Sequence, residues 1–241
     1  MGEELEQAWA RVTRWLREHA PASYETLRPP AEQSEIEACE NALGLALPEE
    51  YKRLLLLNNG AAAWDAPETA FRPGAAFLAG GYRPLSAEEA GEHAIMLCEV
   101  MASIDEENMI GSWWHPQWVM FGLHNAGDGL AIDQRPGPGQ GAVGEFENEG
   151  DTAFDMAPSL STFLATMADC LETGSDFRHF RPIVKDGYLD WGVVLPDRVV
   201  LTPGFRLEIA RQVPREDEDS QRLRPAPRPE GVKATTARAP R

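Results

Sequence analysis

Residues 124 to 146, HNAGDGLAIDQRPGPGQGAVGEF, place six glycines and two prolines in one uninterrupted stretch. That density forbids a helix, because each interior glycine costs about 1 kcal/mol relative to alanine and each proline about 3 kcal/mol. The segment must therefore be short strands joined by turns. Residues 117 to 123 alternate as a strand, 125 to 129 have turn composition, and 130 to 133 form a second short strand. Residues 136 to 141 then make a loop, and 142 to 146 pair beyond it. The same stretch holds His124, Asp128 and Asp133, so it has to be weighed as a site as well as a set of turns.

Helical spacing flanks it on both sides. Leu5, Ala8, Trp9, Val12 and Leu16 recur at steps of three and four, a buried stripe over residues 5 to 18 that Pro21 ends. A second helix spans about 31 to 43, with Ile36, Cys39 and Leu43 on one face and Gly44 as its left-handed stop. In LPEEYKRLLLLNNG, Pro48 suits the first helical position and Glu49 and Glu50 favour the positive end of the dipole. Asn58-Asn59-Gly60 ends this third helix, whose buried stripe is Leu47, Tyr51, Leu54 and Leu55. Further on, Leu160, Phe163, Leu164, Met167 and Leu171 define another stripe, capped by Ser159 and stopped by Gly174.

The order of these devices is more specific than any one of them. The run LGLALPEEYKRLLLLNNG, followed by a loop ending in FRPG, resembles the N-terminal half of the SUKH superfamily of Smi/Knr-type proteins. The motif positions are Gly44, Leu47, Pro48, Tyr51, Asn59 and Gly60. The middle of the chain extends the resemblance with a Trp-containing strand, the Gly127-Asp128 turn, a strand ending in Asp133 and a Pro-Gly loop. The resemblance covers roughly residues 5 to 174. It implies an α+β fold, a mixed or antiparallel sheet flanked by helices, and a non-enzymatic role in protein binding. The leading expectation from that resemblance is a bacterial immunity protein that neutralises a toxin by direct stoichiometric binding, and the alternative is a regulatory scaffold of the fungal Smi/Knr type.

On this reading residues 1 to 174 are the Smi/Knr-type domain, 175 to 213 a C-terminal β extension and 214 to 241 a disordered tail. Asp186-Gly187 joins residues 183 to 185 and 188 to 194 as a hairpin, and 198 to 201 and 205 to 209 are further strand candidates. The tail has few apolar groups with which to offset the entropy of ordering.

Charge narrows the chemistry. Thirty-nine acidic against 22 basic residues give a formal charge of -17, which repels nucleic acid and anionic membrane surfaces and suits a basic protein partner. Seven basic and five acidic residues beyond Pro214 leave -19 on residues 1 to 214. The charged N-terminus lacks the apolar run of a signal peptide, and no apolar stretch is long enough to span a membrane, which reads as cytoplasmic. Cys39, Cys98 and Cys170 are odd in number and lack zinc or disulfide spacing.

The glycine-rich stretch lacks the lysine and the following helix of a phosphate cradle. His115, His124, Asp128 and Asp133 lack metal-motif spacing, and no nucleophile elbow surrounds a serine. No cofactor, metal or catalytic residue is expected; a hydrolase using the 124 to 133 loop is the least favoured alternative. The expected partner contacts are Glu106, Glu107, Trp113, Trp114, Asp128, Glu145, Glu147 and Glu149. The alternation of Glu145, Phe146 and Glu147 places both carboxylates on one strand face, towards water. The oligomeric state stays open.

Overall fold

A computed structural model describes residues 2 to 63, 72 to 103, 110 to 195 and 200 to 201. The helices are α1 (Gly2–His19), α2 (Pro21–Tyr24), α3 (Gln33–Leu43), α4 (Glu49–Leu57), α5 (Ala87–Ser103) and α6 (Leu160–Thr173). An antiparallel meander runs in the order β1 (Arg83–Pro84), β2 (Trp118–Leu123), β3 (Gly129–Asp133), β4 (Val143–Phe146) and β5 (Ala153–Ala157). A second antiparallel sheet holds β6 (Phe180–Lys185), β7 (Tyr188–Val194) and β8 (Val200–Leu201). The class is α+β, as the sequence implied.

Local signals place the helix ends. Gly44 and Gly174 stop α3 and α6 in the left-handed conformation, φ 62° and 68°, where a side chain would be strained. Ser159 caps α6 by accepting the Thr162 N–H at 3.1 Å. Pro48 stands one place earlier than expected: it is the N-cap, and α4 begins at Glu49.

Both faces of the meander are covered, as the continuous burial of β3 shows. On one side Phe121 packs on Tyr51 of α4 and Phe163 of α6, at ring separations of 6.2 and 5.8 Å. A second aromatic cluster builds on β2 and β4, where Trp114 meets Trp118 edge-on at 5.8 Å and Phe146 at 5.5 Å. Leu5, Val12 and Leu16 of α1 are fully buried, and Arg11 ties that helix to Asp169 and Glu172 of α6 at 2.5 Å each.

The second sheet joins this body through polar and aromatic contacts. Trp191 Nε1 donates to Phe77 O at 2.9 Å, Leu189 N donates to Ser23 Oγ at 2.9 Å, and Phe177, just before β6, meets Phe163 edge-on at 5.3 Å. Its Asp186-Gly187 turn has φ 50° and 79°, the positive pair that a two-residue hairpin demands. Residues 205 to 209 and the tail from 214 onward lie outside the described residues. No helix among the described residues is long and apolar enough to cross a membrane.

Candidate functional site

A meander brings alternate turns to the same end of its sheet. The β2–β3 turn at 124 to 128 and the β4–β5 turn at 147 to 152 therefore lie side by side. Asp128 couples them: its carboxylate accepts the Asn148 N–H at 2.9 Å. Within the first turn His124 N donates to Asp128 O at 2.7 Å, and His124 Nδ1 accepts the Ala126 N–H at 3.2 Å. These bonds shape the turn, as Gly127 does with φ 92° beside the Asn148 side chain.

Tyr82, just before β1, points its hydroxyl into this end and donates to the Glu145 carboxylate. Its ring lies edge-on to His124 at 5.7 Å. Burial, and then the carboxylates of Glu145, Asp128 and Glu147, push the phenol's pKa upward. The tyrosine is thus a fixed neutral donor beneath a cluster of negative charge. Glu145 is half-buried, whereas Glu147 and Glu149 are exposed. The shared strand face expected for Glu145 and Glu147 is not formed, because β4 ends at Phe146 and Glu147 belongs to the turn. Burial against Tyr82 also removes Glu145 from the fully solvated state expected of it.

Beside the cluster a cleft of about 360 Å³ is lined by Arg83, His93, Met96, Met120, His124 and Asn148 among others. Burial first, and Arg83 second, push the His93 pKa down. Arg83 does not reach free into this space: its Nη1 donates to both Glu89 oxygens, at 3.0 and 2.9 Å. His115 accepts the Gln117 N–H through Nδ1 at 3.0 Å. His115, His124, Asp128 and the Arg83–Glu89 pair are thus each engaged by a structural partner. Among the described residues no group of three or more His, Cys, Asp or Glu side chains could hold a metal.

The remaining expected contact residues fall elsewhere. Trp113 and Trp114 are 8% and 0% exposed. Trp113 donates from Nε1 to Asn148 O at 2.9 Å and meets Phe146 at 5.4 Å. These rings are core, and the reading of them as surface anchors is corrected: sealing β2 and β4 takes all three neighbouring tryptophans, since Trp118 is only 1% exposed. Glu106 and Glu107 lie outside the described residues. Asp133 is 5% exposed and grips Arg135, whose Nη2 donates to it at 2.8 Å while the guanidinium sits over the Trp118 ring at 5.1 Å.

The motif residues prove to be joinery. Leu47 is buried and its N–H donates to Glu40 at 2.9 Å. The Tyr51 hydroxyl donates to Leu85 O at 3.3 Å, while Asn59 Oδ1 accepts the Ala87 N–H at 2.9 Å. Together with Gly60 they seat the start of α5 against the end of α4. Ser86 and Glu89 then close a reciprocal capping box: Glu89 N donates to Ser86 Oγ at 3.2 Å, and Ser86 N donates to Glu89 Oε2 at 2.9 Å. Tyr82, Arg83, Glu89 and Asn148 were missed from sequence. Only Ser86-x-x-Glu89 carried a readable signal.

A family model described as the SMI1 / KNR4 family (SUKH-1) matches residues 30–166, more than half of the chain. The chain belongs to the SMI1/KNR4 family. Two curated relatives accompany this SMI1/KNR4 assignment. The "Cell wall biosynthesis/cell cycle regulator smi1" of Schizosaccharomyces pombe is 27% identical over 192 residues, covering 70% of this chain and 36% of the relative. The "KNR4/SMI1 homolog" of Yarrowia lipolytica is 22% identical over 218 residues, covering 70% and 30%. The chain spans about a third of the length of these curated SMI1/KNR4 relatives.

Proposed function

We propose that the chain is a non-catalytic SMI1/KNR4 binding protein that captures a basic protein through the acidic end of its main sheet. In its sharper form the partner is a toxin domain, neutralised by stoichiometric contact. One observation carries this reading: Asp128, Glu145 and Glu147 converge around the buried Tyr82 donor, on a body of formal charge -19 over residues 1 to 214. Such a field steers a cationic partner into contact and repels anionic competitors. Toxins that cleave nucleic acid are commonly cationic, since they bind phosphate.

Co-expression with toxins encoded beside the gene tests the class of function, with cell survival as the readout. Neutralising Glu145, Glu147 and Glu149 together to glutamine tests the surface. Glutamine at 145 still accepts the Tyr82 hydroxyl, so the fold is retained. Association at low salt should slow about tenfold and lose much of its salt dependence, with dissociation little changed. An unchanged association rate rejects the acidic end as the contact surface.

A second reading, a regulatory adaptor, is favoured by the printed name of the fission-yeast relative. Deleting residues 215 to 241 separates the two. Retained neutralisation supports immunity, while lost recruitment of another protein supports the adaptor.

A further inference from the structure

On the far flank of α5 from the cleft, α3 and α5 leave a groove of about 380 Å³ between them. Its floor is small and apolar, made by Ala38, Cys39, Ala42, Gly91 and Ile95, and its rim carries Glu35, Glu88 and Glu92. No basic side chain lines it. Ile95 is 39% exposed and Ala38 and Ala42 are exposed, so this apolar surface lacks a cover among the described residues. Glu88 and Glu92 stand one helical turn apart on the same edge of α5.

We propose that this groove receives a basic amphipathic helix of a protein partner. The shape selects a helix over an extended strand: both walls are helices whose backbone groups are already bonded internally, so a strand laid between them would leave its own N–H and C=O groups unpaired. A helix brings its backbone bonds with it. The small floor lets it approach closely, with apolar residues at every third or fourth position over Ala38, Ala42, Gly91 and Ile95. Lysines or arginines one turn apart then meet Glu88 and Glu92, while Glu35 opposite, held by the Glu32 N–H at 2.7 Å and by the Asn59 amide at 3.2 Å, adds its charge from a fixed position. Cys39 takes no covalent part, because burial and then Glu40 raise its thiol to about 11 and Gly91 packs over its sulfur. The inference rests on the reading of the chain as a binder of basic proteins, and adds a second surface to it.

The test uses the full chain and a fluorescein-labelled peptide of about 18 residues, five turns of helix, with leucine and alanine on one face and lysine on the other. A control peptide of identical composition has its leucines dispersed around the helix. Anisotropy titrations at moderate salt should show the patterned peptide binding at least about tenfold more tightly than the control. Ala42→Trp, which fills the groove from an exposed position, should weaken it about tenfold. Glu88→Gln with Glu92→Gln, which leaves packing unchanged, should weaken it several-fold. The protein carrying Glu145→Gln, Glu147→Gln and Glu149→Gln should bind the peptide as the parent does.

Equal binding of the two peptides overturns the groove, as does indifference to both groove variants. Loss of the peptide only in the triple glutamine variant also overturns it, while leaving capture by the acidic end standing. Loss confined to the groove variants supports the groove, even where no toxin is neutralised and the immunity reading falls alone.

Discussion

Replacing Gly60 with alanine is expected to lower the unfolding free energy by about 3 kcal/mol, whereas Gly44→Ala should cost about 1 kcal/mol. Both glycines have positive φ, 75° and 62°, so both substitutions carry the left-handed penalty of a side chain. Only Gly60 is also crowded. A Cβ there would lie 2.5 Å from Leu85 C and 2.6 Å from Ser86 N, both rigid backbone, while nothing lies within 4 Å of one at Gly44. The chain must therefore open the contact between the end of α4 and the start of α5, loosening the Asn59–Ala87 bond as well. Urea denaturation of the two variants measures the difference. Equal losses would show that the approach at Gly60 relaxes without cost.

Arg83→Met is expected to cost about 2 kcal/mol at neutral pH, and progressively less as the solution is acidified. Arg83 and Glu89 side chains are 15% and 23% exposed, short of full burial, so the effect is set below the 3 to 5 kcal/mol typical of breaking a fully buried pair. Burial alone would raise the Glu89 pKa, but Arg83, the Ser86 N–H and Arg28 outweigh it and hold the carboxyl below its ordinary 4.5. A depressed carboxyl stabilises the fold above its unfolded pKa, and that contribution is lost as pH falls through the lower folded value. The penalty of removing Arg83 should accordingly be complete well above pH 4.5 and shrink beneath it. Denaturation of parent and variant across this range reads the effect directly. A penalty independent of pH would assign the role of Arg83 to its bond to the Ala61 carbonyl, 3.1 Å from Nη1, since methionine keeps the apolar stem.

What the sequence revealed follows the range of the forces involved. Caps and turns act within a few residues, so the ends of α3, α4 and α6, the β2–β3 turn and the β6–β7 hairpin were legible. The helix α5 was not. Ile95, Met96 and Val100 are exposed on its outer side while Ala90, Ala94 and Leu97 face inward, which blurs the apolar stripe, and Gly91 interrupts it. Its capping box was the available sign. β1 is two residues long, too short for any pattern, and the edge strand β5 buries no residue fully, its alternation resting on Phe154, Asp155 and Met156 alone. At the site, the carboxylates were found, but the donor that positions Glu145 is 63 residues away in the chain. The tryptophans were misplaced as anchors because their composition suits an interface and a core equally.

The family match runs from residue 30 to residue 166, yet α1 ends at His19 and α6 continues to Thr173. A fragment trimmed to those limits would keep every recognisable motif while stripping Leu5, Val12 and Leu16 from the interior and cutting α6 before Met167, Cys170 and Leu171. Dissection of partner recognition by deletion must respect that mismatch. Silence from such a fragment would report collapse of the scaffold, and point substitutions in the intact chain are the instrument that separates recognition from integrity.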